Sequence, residues 1–201
     1  MSVDPRCRVF LGAPGARGAS WPMLRKAVRV QRLAFDDPTP GREAASGLLA
    51  VASAAPVLCL VTISRGGRAV AYGAAGGYHR TLGPSSAGSG FTPGEWHVFR
   101  LGVLRQWRRK GLGASVLFSL LAAGQFLGFD TAVTEAAPDA CKLWERLGAI
   151  EAGRAHHPRD TAYRVKMAPA VLSLRRGIGP AEAPRQQHQA ESLAKTGAWT
   201  E

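Results

Sequence analysis

The chain has 201 residues, which is enough for one well-buried domain and short for two. Its composition, 46% hydrophobic and 20% charged, is that of a folded protein and excludes an intrinsically disordered one. A net charge of +12 implies anionic partners, among which a nucleotide cofactor, an acidic substrate, nucleic acid and a membrane surface all remain open.

The first residues predict a strand followed by helices. Residues 7–11 favour a strand, and Ser20 before Trp21-Pro22 is typical of a helix start. That helix is expected to end at Asp36-Asp37-Pro38. An alanine-rich segment at 41–55 predicts a second short helix.

A hairpin is predicted next. Residues 57–63 are apolar on both faces, which indicates a central strand covered on two sides. A turn at 64–67 leads into a returning strand at 68–73. Residues 76–94 are rich in Gly, Ser and Pro and predict a long loop, a kind of segment that often carries function.

The second half of the chain alternates strands and helices. In order, it predicts a strand at 96–103, a basic turn, a helix from 116 to 127, a short strand at 130–134, a helix at 140–147 capped by Gly148, and an antiparallel strand pair at 149–151 and 163–167. Periodicity is then lost. We therefore predict one domain over residues 1–168 and a flexible C-terminal tail over 169–201.

The cysteines and apolar stretches indicate the compartment. Cys7, Cys59 and Cys141 lie far apart without a C-x-x-C pair, so they predict neither a disulfide framework nor a zinc site. The longest apolar stretch, near 116–129, falls short of the ~18 residues of a membrane span. The N-terminus lacks a signal-peptide pattern. We expect a cytoplasmic protein with no membrane span.

The basic turn between the strand at 96–103 and the helix behind it is the most informative stretch. It combines Arg105, Arg108, Arg109 and Lys110 with glycines at the start of a helix. The first turn of a helix presents unpaired N–H groups, and its dipole adds partial positive charge there. The sequence therefore predicts an anion site at this junction. A P-loop and a dinucleotide-binding motif are both excluded, because neither of their glycine patterns is complete.

Two motifs carry a family resemblance. Arg108, Gly111 and Gly113 fit Arg-x-x-Gly-x-Gly, which resembles the acyl-coenzyme A binding motif of the GNAT superfamily of N-acetyltransferases. Residues 140–149 resemble the family's helix pattern Ala-x-x-Leu-Tyr-x-x-x-Gly-Phe. The resemblance implies an α/β (α+β) fold with a mixed, mainly antiparallel central sheet and helices on both faces. It also implies acyl transfer from acetyl-CoA, or another acyl-CoA, to an amine without a covalent enzyme intermediate.

The resemblance assigns the cofactor-binding residues. The diphosphate is expected against a cationic, N–H-lined cradle, and the pantetheine arm is expected to bond the backbone near Leu101 and Val103. The cradle comprises Arg108, Arg109, Lys110, Gly111, Leu112, Gly113 and Ala114.

A base must take a proton from the acceptor amine. In relatives a glutamate often stands six residues before the position of Val103, where this chain has His97. Two-residue alternation places Glu95 on the same side, so both are candidate bases. A histidine near its usual pKa of ~6.5 can act as a base at neutral pH. The alternatives are a hydrogen-bonded histidine at a strand edge and a solvated glutamate.

The clearest departure from the family pattern is Trp144. Where many relatives carry a tyrosine that protonates the leaving thiolate, an indole N–H is only a weak donor. Trp144 also lies on the apolar stripe of its helix, which favours a core position. His156-His157 lack a third ligand at a recognisable spacing, so no metal is expected.

The acceptor is not identified by the sequence. We expect a small-molecule amine or a peptide, and the basic charge favours acceptors that carry acidic groups. A longer-chain acyltransferase resembling acyl-amino-acid or acyl-homoserine-lactone synthases is an alternative, as is a non-catalytic module of this fold that binds an acidic partner or nucleic acid. Nucleic acid is disfavoured because the basic residues form no single stripe. A homodimer is left open.

Overall fold

The computed structural model describes residues 6–12, 21–35, 57–77, 94–153, 155 and 158–177. The helices and strands in chain order are β1 (Arg6–Gly12), α1 (Trp21–Phe35), β2 (Val57–Arg65), β3 (Arg68–Gly77), β4 (Glu95–Val103), a 3₁₀ turn (Arg105–Trp107), α2 (Leu112–Phe126), β5 (Thr131–Ala136), α3 (Cys141–Arg146), β6 (Ile150–Glu151), β7 (Thr161–Lys166) and α4 (Met167–Gly177). Within these ranges no helix is both long and apolar enough to cross a membrane.

The strands form one seven-stranded sheet in the order β1-β2-β3-β4-β5-β7-β6. Neighbouring strands are antiparallel except β4 and β5, which run parallel. The parallel pair needs a crossover, and α2 provides it. The prediction of a mixed, mainly antiparallel sheet is confirmed.

Helices cover both faces of the sheet, also as predicted. Helix α1 packs on β2, β3 and β4 from one face, where Leu60, Tyr72 and Ala74 meet its apolar stripe. Helix α2 packs on the same three strands from the other face, and α4 packs against α2 and β7. We call these the α1 face and the α2 face. Strand β2 is buried on both sides, which explains its unbroken apolar sequence.

The α2 face is centred on Trp96, which is fully buried. Its indole Nε1–H donates to the carbonyl of Leu120 at 2.9 Å, and its ring packs against Phe129 with centroids 5.2 Å apart. Helix α2 comes close to this ring at Gly124, where an added Cβ would lie 2.7 Å from both the Trp96 ring and the Met167 methyl group. Only a glycine fits there without moving its neighbours.

We predict that Gly124→Val destabilises the fold by about 1–3 kcal/mol, because overpacking displaces the buried Trp96 and Met167 side chains. Urea unfolding measures the change. The control is Gln125→Val on the exposed side of the same helix, which is expected to change the unfolding free energy by less than about 0.5 kcal/mol. Equal midpoints for the two variants would contradict this close packing.

A β-bulge in β4 decides which side chains face which helix. Ala74 pairs with Arg100 and Ala75 with Val98, so Phe99 is an extra residue without a partner on β3. Before the bulge, even-numbered Trp96 and Val98 belong to the α2 face. After it, the parity reverses, and odd-numbered Leu101 and Val103 lie on that face. Glu95 and His97 therefore stand on the α1 face, together with Arg100.

The C-terminal boundary differs from the prediction. Residues 169–177, predicted as the beginning of a flexible tail, belong to helix α4. Its buried residues recur at helical spacing and pack on the core; they are Met167, Ala170, Val171 and Leu174. Pro169 is tolerated because it lies in the first turn, where its missing N–H is no loss.

Two further differences concern segment ends and coverage. Strand β3 extends to Gly77, four residues beyond the predicted end, and takes in the first residues of the expected loop. The predicted second helix at 41–55, most of the loop at 76–94, the His156-His157 pair and residues 178–201 lie outside the described residues. The division into a domain and a tail stays a prediction.

Candidate functional site

The junction between β4 and α2 has the backbone of an anion site. After the 3₁₀ turn, Arg109 and Gly111 both adopt left-handed conformations, with φ of 60° and 77°, and turn the chain into the helix. The first helical bond is donated by the N–H of Ser115 to the carbonyl of Gly111 at 3.0 Å. No side chain caps this end. The preceding N–H groups, of Leu112, Gly113 and Ala114, are therefore left to bind a ligand.

Cationic side chains surround this helix end. Arg105, Arg109 and Lys110 are all exposed. The Lys110 ammonium lies over the Trp107 ring, 4.8 Å from its centroid, a cation–π contact that keeps the charge close to the turn. These charges add to the helix dipole, so the junction favours a ligand with several negative charges.

Arg108 is placed differently from the other cations of the turn. Its Nε donates to the carbonyl of Val103 at 3.2 Å, its Nη2 donates to the carbonyl of Ala34 at 3.0 Å, and its Nη1 lies 4.0 Å from Asp139. The guanidinium thus joins the end of β4 to the last turn of α1. The sequence placed Arg108 in the cradle, and a role in binding an anion stays a prediction.

Beside the junction, β4 and β5 part. The two strands pair only from Glu95–Thr131 to Val98–Thr134. At the last pair, the hydroxyl of Thr134 donates to the carbonyl of Val98 at 2.9 Å. Strand β4 continues to Val103 with no partner on β5, so its main-chain groups on that side are open to a ligand. This is the segment along which the pantetheine arm was expected from the sequence, and its binding there stays a prediction.

Leu101 and Val103 line the inner wall of this opening. A Cβ at Gly113 would meet their side chains at 3.7 and 3.8 Å, which is ordinary contact. Helix α2 therefore begins directly against the unpaired end of β4. The structure brings together the backbone positions at Leu101 and Val103 and the helix start at Gly111 to Ala114, as the sequence predicted.

A charged group lies on the α1 face of the same strand. The Glu95 carboxylate contacts the Arg164 guanidinium, with Oε1 and Nη2 2.6 Å apart, and its Oε2 lies 4.0 Å from Nε2 of His97. The side chains of Glu95 and His97 are only 12% and 20% exposed. Burial lowers the pKa of His97 from 6.5 to about 4, so its imidazole is neutral at pH 7.

Arg164 belongs to this charged group and was not predicted from the sequence. Register explains its position, because His97, Val133 and Arg164 pair in one row across β4, β5 and β7. The usable signal was the alternation in β7, where buried Tyr163 and Val165 flank Arg164. That pattern puts Arg164 on the opposite face from the core, but only the strand order reveals its partner.

Trp144 is a core residue. Its side chain is 4% exposed and belongs to the apolar cluster of the α2 face. A tyrosine does reach this helix from β7, since the Tyr163 hydroxyl donates to Glu145 at 3.0 Å. Burial and hydrogen bonds with Cys141 and Glu145 raise the pKa of Tyr163, so the hydroxyl stays protonated. Across the described ranges, no three His, Cys, Asp or Glu side chains cluster as a metal site requires.

Comparison with known families and structures identifies this arrangement. The sequence model described as "Acetyltransferase (GNAT) family" matches residues 21–149, more than half of the chain. No curated protein sequence matches the chain.

Solved structures share the fold at low sequence identity. The ribosomal-protein-S18-alanine N-acetyltransferase of Escherichia coli aligns at 18% identity and a TM-score of 0.53, covering 79% of this chain and 94% of that chain. A CoA-dependent acyl-homoserine lactone synthase, BjaI, solved with SAM and isopentyl-CoA, aligns at 14% identity and a TM-score of 0.62, covering 87% of this chain and 90% of that chain. A Pyrococcus horikoshii chain aligns at 16% identity and a TM-score of 0.55. This match covers 73% of this chain and 44% of that chain.

Proposed function

Because the chain belongs to the acetyltransferase (GNAT) family, we propose that it transfers an acyl group, in the first place acetyl, from acyl-coenzyme A to an amine by direct attack. The observation that carries this proposal is the helix end at Leu112 to Ala114 beside the unpaired segment of β4. One surface offers a place for a diphosphate, and the adjoining strand offers backbone partners for an extended arm.

The described residues fit acyl-CoA. The amides of Leu112, Gly113 and Ala114 would hold the diphosphate, with Arg109 and Lys110 adding charge. The backbone of Leu101 to Val103 would bond the pantetheine arm. Acyl-CoA supplies the activated thioester; the protein supplies its position. A main-chain N–H of β4 pointing into the opening would polarise the thioester carbonyl.

The acceptor amine must lose a proton, and His97 is the proposed base. Its imidazole is neutral at pH 7, so a ring nitrogen is able to accept a proton directly or through a water molecule. Glu95 is the second candidate. Its contact with Arg164 commits one carboxylate oxygen and leaves the other facing His97. We therefore assign Glu95 and Arg164 to positioning the imidazole and neutralising its surroundings. Trp144, at the family's tyrosine position, is buried and is given no acid role.

The experiment that tests this function measures thiol release from acetyl-CoA in the presence of a panel of amines. We expect thiol release that depends on the acceptor, with mass spectrometry showing one acetyl group on the amine. If thiol is released at the same rate with and without each acceptor, the activity is hydrolysis of acetyl-CoA and not transfer to an amine. Failure to bind acetyl-CoA would overturn the proposal.

A longer acyl group is a second candidate. The observation in its favour is the TM-score of 0.62 with BjaI, against 0.53 with the Escherichia coli N-acetyltransferase. A series of acyl-CoA donors from two to eight carbons, assayed with one acceptor, separates the two. A higher kcat/KM for a branched or longer donor than for acetyl-CoA would select this candidate, and a steady fall with chain length would reject it.

We also propose that the protein works in the reducing cytoplasm. Cys7, Cys59 and Cys141 are thiols that form no disulfide. Burial raises the pKa of the Cys59 thiol, so it stays protonated and unreactive. Fractionation of cells that express the tagged protein tests the location, and recovery outside the cytoplasm would contradict it.

A further inference from the structure

Arg100 is an exposed cation next to the proposed base. It pairs with Ala74, whose side chain belongs to the apolar cluster of the α1 face, so Arg100 stands on the same face as His97. Its Nη1 donates to the carbonyl of Phe99 at 3.5 Å, a long and exposed contact. Two residues lie between it and His97, and three steps of extended chain limit the distance between their Cα atoms to about 10 Å.

Arg100 has no acidic partner in the described part of the chain. Of the carboxylates on this face, Glu95 is bound to Arg164, and Glu135 on β5 has an interaction of its own. Among the described residues, the charge of this guanidinium is therefore not neutralised by a carboxylate, and only the long contact with Phe99 uses one of its donors. Such a planar group binds a carboxylate through two parallel hydrogen bonds.

The wider surface strengthens this preference. Helix α1, which covers the α1 face over β2, β3 and β4, carries exposed Arg25, Arg29 and Arg32. A cationic amine such as a polyamine would be repelled here, whereas an anionic group would be attracted.

We propose, on the basis of the acyltransferase function above, that the acceptor is an amine carrying a carboxylate a few bonds from its nitrogen, as in an α-amino acid, and that Arg100 binds this carboxylate. His97 then faces the amine, and Arg100 fixes its orientation. The carboxylate takes no part in bond making. The bonds that change are the thioester C–S bond, which breaks, and the amide C–N bond, which forms, while one amine proton leaves through His97.

The test compares each α-amino acid with its own carboxamide as acceptors in the thiol-release assay. The two molecules have the same size but differ in charge and in the basicity of the amine, so the acid-to-amide ratio of kcat/KM is measured in both the wild type and Arg100→Gln. The basicity of each amine is the same in the two enzymes, so the change in this ratio isolates the contact with the carboxylate. We expect the ratio to be about 10- to 100-fold higher in the wild type than in Arg100→Gln, the value of one charge-assisted contact of about 1.5–3 kcal/mol. The variant should lower the ratio mainly by raising KM for the acid.

Further variants make the result specific to Arg100. Arg100→Lys keeps the charge and should retain part of the preference. Arg100→Glu should lower the acid-to-amide ratio below its value in Arg100→Gln, because the introduced carboxylate repels the acid. Arg8→Gln, an exposed charge on β1, should leave the ratio unchanged.

The outcomes separate the two proposals. An acid-to-amide ratio that is the same in the wild type and in Arg100→Gln would overturn the carboxylate site and leave the acyltransferase function standing. Acyl-CoA binding without transfer to any acceptor would overturn both the acyltransferase function and the carboxylate site.

Discussion

His97→Gln is expected to lower kcat by about 100-fold at pH 7, because a positioned base contributes roughly 10²- to 10⁴-fold to proton transfer. Glutamine keeps the approximate size of the imidazole and its polarity but accepts no proton at this pH. The KM for acetyl-CoA should change little, since Leu101 and Val103, the residues proposed to bind the pantetheine arm, lie beyond the bulge with their side chains on the other face of β4. Steady-state kinetics with a fixed acceptor measure both constants.

The activity of the wild-type protein should also show the lowered pKa of His97. Burial lowers the pKa of His97 to about 4, so the imidazole remains an active base down to about pH 5, and activity falls only below that. An acceptor that stays neutral over this range isolates the effect. A fall that begins near pH 6.5 would show that the base titrates normally, and the buried neutral histidine would be wrong.

The free energy of unfolding should also depend on the protonation of His97. The unfolded chain protonates this histidine near pH 6.5 and the folded chain near pH 4, so between these values the unfolded state binds more protons. Folding stability is therefore expected to decrease as the pH falls from about 6.5 to about 4. His97→Gln removes this part of the slope.

Glu95 and Arg164 provide the contrast for these effects. Glu95→Gln keeps the shape of the carboxyl group but weakens the contact with Arg164, and a smaller loss of kcat is expected than for His97→Gln. If Glu95→Gln loses more activity than His97→Gln, the roles are reversed and Glu95 is the base.

The double variant Arg109→Ala with Lys110→Ala is expected to weaken CoA binding by about 10- to 100-fold, because it removes two charges beside the helix end. Isothermal titration at fixed salt measures the Kd. Wild-type affinity should fall as salt is raised, and the double variant should show a weaker dependence.

A matched control separates local charge from total charge. Arg8→Ala with Lys166→Ala also removes two positive charges, but Arg8 lies on β1 and Lys166 pairs with Thr131 at the opposite end of β4 from the junction. Its Kd should stay within about twofold of wild type. Equal weakening in both double variants would point to a general effect of net charge and would contradict a site at the junction.

The junction was predictable from sequence because its signals are local. The strand, the basic turn and the helix follow one another within thirty or so residues, and Gly111 adopts the left-handed conformation that a glycine there favours. The hydrophobic period of β2 likewise shows that it is buried on both faces. Patterns of this kind need no knowledge of which segments meet.

The charged group on the α1 face was only half predictable. Alternation placed Glu95 and His97 together, and the structure agrees. Arg164 comes from β7, and its contact depends on a sheet order that no local pattern specifies. The bulge at Phe99 was not visible either, although it decides that Leu101 and His97 face opposite sides. Alternation alone would have put them together.

Two other features of the structure were not visible from the sequence, for simple physical reasons. Arg108 belongs to the motif, but its guanidinium reaches the carbonyl of Ala34, seventy-four positions away in sequence. Helix α4 does carry a helical spacing of apolar residues from Met167 to Leu174. Pro169 concealed it, because a proline breaks a helix interior but is harmless in the first turn.

The change in backbone amide chemical shifts when CoA is added to the labelled protein shows directly where the cofactor binds. We expect the largest changes at Leu112, Gly113 and Ala114, whose N–H groups would face the diphosphate, and further changes along Leu101 to Val103. Binding with these amides unchanged, or the largest changes on the α1 face around His97, would contradict a cofactor site at the start of α2.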